Sequence, residues 1–399
     1  MSANIPKPSV LMVTYQYAPA ADGGAARQAQ VLAEGLAARG RRVGVVTARL
    51  PDTSGFERLA GVEVHRVWAI PKRGRFSATF LPSLARFLLQ HGRGYQIWHA
   101  HQAFYNAAVA IMFARLWGTR CVVKDAASGP YGDIARLRRV RLGAWVRKSL
   151  LRADAVISLN SEMTQELLNA GIPAARIRRI PNGVDCERFS PPSLDRRREA
   201  RSKLGLPPDG LLAVFAGRLA EDKGTGFLID AWRSVERRCP GQPLTLLIAG
   251  EELHVGKFRG RGERELKTAR FLGNVADVRP LLHAADLLVH PSLAEGVSNI
   301  VLEAMAVGLP VIGTRTPGLE EQIEDGVTGL LVPPRNADAL ADAIIGLMQD
   351  GGRRATMGSG GRMRVANKYN LISVLTAYEE LYDGLSQPPP LRMQGSRFT

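Results

Sequence analysis

Residues 290–334 read HPSLAEGVSNIVLEAMAVGLPVIGTRTPGLEEQIEDGVTGLLVPP. The segment opens as a loop carrying Glu295 and Gly296. A helical stretch follows from about Ser298 to Val307, carries Glu303, and is stopped by Gly308 and Pro310. Val311–Thr314 then reads as a short buried strand. Glu295 and Glu303 stand in the pattern E-x7-E. With Glu295 in the loop, Glu303 lies about one and a half turns inside the helix. Both carboxylates then face one cleft above the helix N-terminus, where free N–H groups and the positive dipole seat a phosphate. The spacing alone is common, and an amphipathic helix with solvated glutamates is the alternative.

Outward from this stretch, 399 residues with 45% hydrophobic and 23% charged content suggest two globular domains, each with its own core. No apolar run approaches the ~18 residues of a membrane span, and MSANIPKPSVLMVTY lacks the apolar core and cleavage site of a signal peptide. Cys121, Cys186 and Cys239 have no metal-ligand spacing and suggest a reducing cytosol without a disulfide framework. The charge is lopsided. Residues 1–185 hold 26 Lys and Arg against 11 Asp and Glu, a net +15; residues 186–399 hold 27 against 26, a net +1. The first half therefore meets something anionic: nucleic acid, anionic lipid or a diphosphate-bearing acceptor.

In that half, Ser9–Tyr15, Arg42–Ala48, residues 62–67, Ile97–Gln102, Arg120–Asp125, Ala155–Asn160 and Ile177–Gly183 read as strands separated by helices. The strand–loop–helix–strand order is that of a doubly wound fold. The first loop carries Gly23 and Gly24 but no G-x-G-x-x-G, so the dinucleotide fingerprint is absent. Glycines there let backbone N–H groups approach a phosphate or sugar, or simply make a tight turn. His99 and His101 alternate on a strand and share a face near its C-terminal end, where sites in such folds lie. A structural, hydrogen-bonded role is the alternative, and no third ligand supports a zinc site. Residues 136–152 carry seven basic side chains and no acid. Leu137, Val140, Ala144 and Leu151 fall on one helical face with Trp145 at its border. The segment reads as a basic amphipathic helix, either lying on anionic membrane through 134–152 or packed on the core with a solvated basic face.

The second half begins again with a strand, LLAVFAG (211–217), and a loop holding Arg218 and Lys223, a planar fork and a point charge suited to a leaving diphosphate. Leu244–Glu251, Ala269–Gly273, Asp286–Ser292 and Gly329–Val332 supply further strands. Helices are expected over 336–349, 353–368 and 371–385, before a polar, Pro-containing tail (387–399) read as disordered.

Embedded in SLAEGVSNIVLEAMAVGLPVIGT, the two glutamates resemble the C-terminal signature of the large retaining glycosyltransferase family of GT-B type, usually called family 4. The Gly23-Gly24 loop, the turn-rich IPNGVDCERFSPP (180–192) and Gly217-Arg218…Lys223-Gly224 resemble that family's Gly-Gly loop, inter-domain signature and diphosphate loop. The resemblance covers about residues 9–386. It implies an α/β GT-B fold, two Rossmann-like domains facing a central cleft. Residues 1–185 would be an N-terminal acceptor-binding domain and 186–370 a nucleotide-sugar-binding domain, with a terminal helix (371–386) returning to the first. It implies retaining transfer of a sugar from a nucleotide-diphosphate sugar to a glycan, lipid-linked or other hydroxyl acceptor, in cell-surface polysaccharide biosynthesis.

In that scheme Arg218 and Lys223 hold the diphosphate, and Glu295 contacts sugar hydroxyls and the positive charge developing on the ring. His101 positions sugar or acceptor hydroxyls and Glu303 binds the ribose. Gly23, Gly24, Gly217, Leu272, Gly296, Val297, Ser298 and Asn299 complete the nucleotide-sugar site. No metal and no cofactor is implied, since the nucleotide-facing motifs hold no D-x-D and cationic side chains replace the ion. A polyprenyl-diphosphate-linked acceptor fits the basic first half. It places the protein in the cytoplasm, peripheral on the inner membrane face, with no nucleic-acid partner. Val297-Ser298-Asn299 stands where many relatives have an aromatic or glycine pair, and leaves the donor sugar and base open. The rivals are a sugar-nucleotide epimerase of the same fold, a hydrolase with paired carboxylates, and a basic nucleic-acid-binding protein, for which no reader motif is present.

Overall fold

The computed structural model describes residues 7–19, 23–72, 74–129, 132–252 and 256–387. Its first sheet contains β1 (Val10–Val13), β2 (Val43–Ala48), β3 (Phe56–Leu59), β4 (Val62–Val67), β5 (Ile97–His101), β6 (Arg120–Lys124), β7 (Ala155–Ser158) and β8 (Ile177–Arg179). Its second contains β9 (Leu211–Ala216), β10 (Leu244–Ala249), β11 (Ala269–Gly273), β12 (Leu287–His290), β13 (Val311–Thr314) and β14 (Gly329–Val332). β1, β2, β5, β7, β12 and β13 are buried at every position. Helices cover both faces of a parallel sheet, so such strands become apolar runs rather than alternating ones. That is why these elements were readable from sequence.

The strand orders are β3-β4-β2-β1-β5-β6-β7-β8 and β11-β10-β9-β12-β13-β14. All pairs are parallel except β3 with β4. Each sheet therefore winds outward from a switch point, β1 beside β5 in one and β9 beside β12 in the other, where ligands seat in doubly wound folds. The fold is α/β, with two Rossmann-like sheets.

Three expectations change. β3 was not anticipated: FERL is largely exposed and pairs only at the sheet edge, through a two-residue turn at Ala60-Gly61. β8 stops at Arg179 rather than Gly183. Ile180 N still bonds Ser158 O, but Pro181 has no N–H to continue the ladder. Residues 136–152 are not one helix. They lie across two short ones, Asp133–Leu137 and Gly143–Leu150, broken where Leu142 takes φ 63°. The expected apolar face is split as a result. Leu137, Val146 and Leu150 enter the core, whereas Leu142, Trp145 and Leu151 are 66%, 39% and 38% exposed among exposed arginines. The tail expected to be disordered lies outside the described residues, apart from Gln387.

The last helix, Leu371–Ser386, packs on the first sheet. Val374, Leu375, Tyr378 and Tyr382 share a core with Val10, Met12 and Leu36. The Tyr382 hydroxyl lies 2.7 Å from His99 Nδ1, and Asp383 pairs with the buried Arg41 guanidinium at 2.8 Å. Burying each large side chain contributes about 1.5–3 kcal/mol, which fixes this helix across the gap between the sheets. Among the described residues no helix is long and apolar enough to cross a membrane.

Candidate active site

The loops after β9 and β12 flank the second switch point and are stapled together. Asp222 O accepts from Leu293 N at 2.8 Å and from Ser292 Oγ at 3.1 Å. Gly224 then turns the chain into helix Thr225–Arg238 at φ 67°, and a Cβ there would lie 2.0 Å from Pro291 O. Only glycine fits both the angle and the approach. The staple brings Lys223 to Glu295: Nζ lies 2.6 Å from Oε1.

His290, the last residue of β12, reaches the same oxygen, its Nε2 2.8 Å from Glu295 Oε1 and 3.1 Å from Ser298 Oγ. A carboxylate only accepts, and among the described residues His290 Nδ1 has no partner, so the hydrogen belongs on Nε2. Burial alone would raise the Glu295 pKa, but the Lys223 charge and the His290 hydrogen bond outweigh it and hold the group well below the usual carboxylate range. Glu295 is therefore a fixed negative charge. Arg218, 46% exposed, pairs at 3.0 Å with Asp222 of its own loop, and no bond joins it to Glu295.

Helix Asn299–Ala306 follows, with Ser298 at its N-cap. Ser298 N donates to Gln322 Oε1, and Ser298 O accepts from Gln322 Nε2. Its hydroxyl is committed to His290 and caps no amide, so the first-turn donors carry no side-chain cap. Glu303 lies in the second turn, and among the described residues no hydrogen bond or ion pair engages its carboxyl. Burial pushes its pKa up to about 7 against the opposing charges of Arg27 and Arg188. A pKa raised on folding means that the native state holds the proton between about pH 4.5 and 7 while the unfolded chain has released it. This group's contribution therefore declines through that window and stays low above it. Glu303→Gln is expected to melt roughly 1–4 °C higher than wild type at pH 8, with little difference at pH 4. Scanning calorimetry at the two pH values checks this; a variant that is less stable at pH 8 contradicts it.

The remaining candidates fall in three places. Gly23 and Gly24 open helix Gly24–Ala38, and Gly24 O accepts from Asn299 Nδ2 at 3.2 Å, which joins the Gly-Gly loop to the nucleotide-facing segment. His99 and His101 lie side by side with their rings tilted by 30° and centroids 4.4 Å apart, both buried and kept neutral by burial. His99 is a structural residue bonded to Tyr382. Among the described residues His101 Nε2 has no partner, and no bond joins the ring to Glu295. Leu272 packs against the second domain's core near the end of β11, and Gly217 ends β9. Lys223 thus meets Glu295 directly and His290 links Glu295 to Ser298; among the described residues no hydrogen bond or ion pair joins Arg218, His101 or Leu272 to this cluster.

Several residues were missed. His290 opens the decisive stretch, yet nothing local marks its ring as facing Glu295. Lys124, Ser128, Asn160 and Asn182 come from the first half. Ser128 Oγ donates to Glu295 O (3.0 Å), Asn160 Nδ2 to Gly296 O (2.8 Å) and Asn182 Nδ2 to Val297 O (3.1 Å). The buried Lys124 ammonium donates to Asn182 Oδ1 at 2.8 Å, with its pKa depressed to about 7 by burial.

Comparison with known proteins bears on the family and the fold. Residues 23–183 match the family described as "Glycosyl transferase 4-like domain", and residues 210–350 the one described as "Glycosyl transferases group 1". A D-inositol 3-phosphate glycosyltransferase of Pseudarthrobacter chlorophenolicus is 30% identical over 331 residues, 77% of each chain. Sucrose-phosphate synthase from Thermosynechococcus elongatus superposes with a TM-score of 0.80 at 25% identity, over 95% of this chain and 99% of that one. Anabaena HepE in complex with UDP-glucose superposes with a TM-score of 0.77 at 22% identity, over 94% and 100% of the two chains.

Proposed function

The chain belongs to the glycosyl transferases of group 1 and is a GT-B glycosyltransferase, and we propose that it moves a sugar from a nucleotide-diphosphate sugar to a hydroxyl acceptor with retention of configuration. The observation that carries this reading is the Lys223–Glu295–His290 cluster. It is a buried, oriented carboxylate with a cation at 2.6 Å, placed just before the helix that bears Glu303. Binding of UDP-glucose by the structural neighbour HepE supports a nucleotide-sugar donor. The bond between the anomeric carbon and the diphosphate breaks, and the diphosphate leaves with the electron pair. Arg218, Lys223 and the uncapped helix N-terminus stabilise that charge. Glu295 faces the cation developing on the sugar ring. The acceptor oxygen closes on the anomeric carbon from the leaving-group side, and its proton passes to the departing phosphate. Glu303 accepts from the ribose hydroxyls, and no metal enters the scheme.

A thermal-shift panel of UDP-, GDP- and ADP-sugars tests the reading, because a ligand bound only by the folded state raises Tm. One base is expected to give a shift that grows with concentration. No shift with any of the three contradicts a nucleotide-sugar donor.

The acceptor reading follows from the first half. Exposed Leu142, Trp145 and Leu151 lie among the cations of residues 136–152. That combination supports reversible contact with anionic membrane at the cytoplasmic face and a polyprenyl-diphosphate-linked glycan acceptor, in cell-surface polysaccharide synthesis. The break between the two helices leaves this reading intact, with a turn rather than a helical face as the contact. Vesicles containing anionic lipid are expected to sediment the protein in a salt-sensitive way, and an Arg138/Arg139/Arg141→Ser variant should bind markedly less. Equal sedimentation of the folded variant and the wild type contradicts this contact.

A further inference from the structure

Three side chains from one half of the molecule grip three consecutive carbonyls of the other. Ser128 takes Glu295 O, Asn160 takes Gly296 O and Asn182 takes Val297 O. The three donors stand just beyond the C-terminal ends of β6, β7 and β8, neighbouring strands of the first sheet. The spacing of the sheet is thereby matched to the spacing of residues along the loop. The halves also meet backbone to side chain: a Cβ on Gly296 would lie 3.0 Å from Ala126 O and 3.1 Å from Leu159 Cδ1.

Both asparagines are buried and held from behind. Asn160 Oδ1 accepts from Met163 N at 2.8 Å, and Asn182 Oδ1 accepts from Lys124 Nζ at 2.8 Å. Their amide N–H groups then point toward the loop, and Asn182 Nδ2 also donates to Asn299 Oδ1 at 3.0 Å. Lys124 has no carboxylate partner among the described residues, so its ammonium serves to orient Asn182. The loop is fixed on two sides, its carbonyls by the first domain and the Glu295 carboxylate by Lys223 and His290.

We propose that Ser128, Asn160 and Asn182 are positioning residues for the transfer. They hold residues 295–297 from the first domain and so aim Glu295 only when the two domains are closed on each other. The proposal rests on the glycosyltransferase reading above and deepens it: donor binding belongs to the second domain, and competence for chemistry belongs to the clasp.

Asn160→Asp and Asn182→Asp test it at nearly constant side-chain volume, each turning the donor that faces the loop into an acceptor. Each keeps the oxygen that accepts from Met163 N or Lys124 Nζ and loses the N–H aimed at the loop. Ser128→Ala is a third variant that removes a single hydroxyl and spares the fold. The clasp predicts a kcat roughly 10- to 100-fold lower in the Asp variants, the scale of a small misplacement at a reacting centre. Calorimetric affinity for UDP, GDP or ADP, whichever the wild type binds, should be unchanged in Asn160→Asp and Ser128→Ala; Asn182→Asp also loses the bond to Asn299 and is read on kcat alone. Wild-type kcat in all three variants overturns the proposal, and so does nucleotide affinity that falls in step with kcat in Asn160→Asp or Ser128→Ala, because the damage then lies in the donor site itself. If the wild type transfers no sugar and binds none of these nucleotides, the functional reading has failed. Small-angle scattering then decides the clasp alone: a larger radius of gyration in the Asp variants supports it, and an unchanged radius overturns it.

Discussion

Lys223→Ala is expected to lower kcat/KM by about 10²-fold or more, the scale of losing one transition-state charge contact. Two losses combine. The departing diphosphate loses a cation, and Glu295 loses the partner whose charge does most to keep it ionised. With that charge gone, burial dominates and the carboxyl's pKa rises, so the acidic limb of the rate profile should move to higher pH. Stripping one partner from a buried pair costs about 3–5 kcal/mol in general, and a lower Tm is expected alongside. Arg218→Ala, whose side chain is half-exposed and paired within its own loop, should lose turnover without a comparable loss of Tm. Steady-state assays of nucleoside diphosphate release across pH check both variants. Near wild-type kcat/KM in Lys223→Ala would remove that residue from the mechanism.

Glu295→Gln is expected to lower kcat by a similar factor, roughly 10²-fold, and to leave nucleoside diphosphate binding intact or tighter. The amide keeps the shape and one acceptor oxygen but brings no charge to the developing sugar cation. Lys223, which now divides its charge between Glu295 and the ligand space at 2.6 Å from the carboxylate, becomes wholly available to the diphosphate. Glu303→Gln should do the reverse and weaken nucleotide binding first, since among the described residues the Glu303 carboxyl has no other hydrogen-bond or ion-pair partner to lose. Titration of UDP, GDP and ADP into the two variants separates these roles. Equal loss of nucleotide affinity in both contradicts the division.

The fold was legible because parallel strands buried on both faces are continuous apolar runs, as in Val10–Val13 and Leu211–Ala216. What failed was local and polar. FERL hides its pairing at an exposed edge, and residues 136–152 have helical periodicity that Leu142 interrupts with a left-handed turn. Glu295, Glu303 and Lys223 could be singled out because E-x7-E and Gly217-Arg218…Lys223-Gly224 are patterns along the chain itself. His290 was not, because a histidine at a strand end has no signal until its ring is seen against Glu295. The carbonyl clasp was invisible for a different reason. Its pairs are separated by 167, 136 and 115 positions, and its acceptors are backbone atoms, which carry no residue identity.

The central claim is that the cleft after β9 and β12 is a nucleoside-diphosphate site built on Arg218 and Lys223. Calorimetric titration of UDP, GDP and ADP into the wild-type protein and into the Arg218→Ala/Lys223→Ala double variant tests it most directly. One of the three nucleotides should bind the wild type with micromolar affinity, and that binding should vanish in the folded double variant. Absence of binding to the wild type by all three, or equal binding to both proteins, contradicts the assignment.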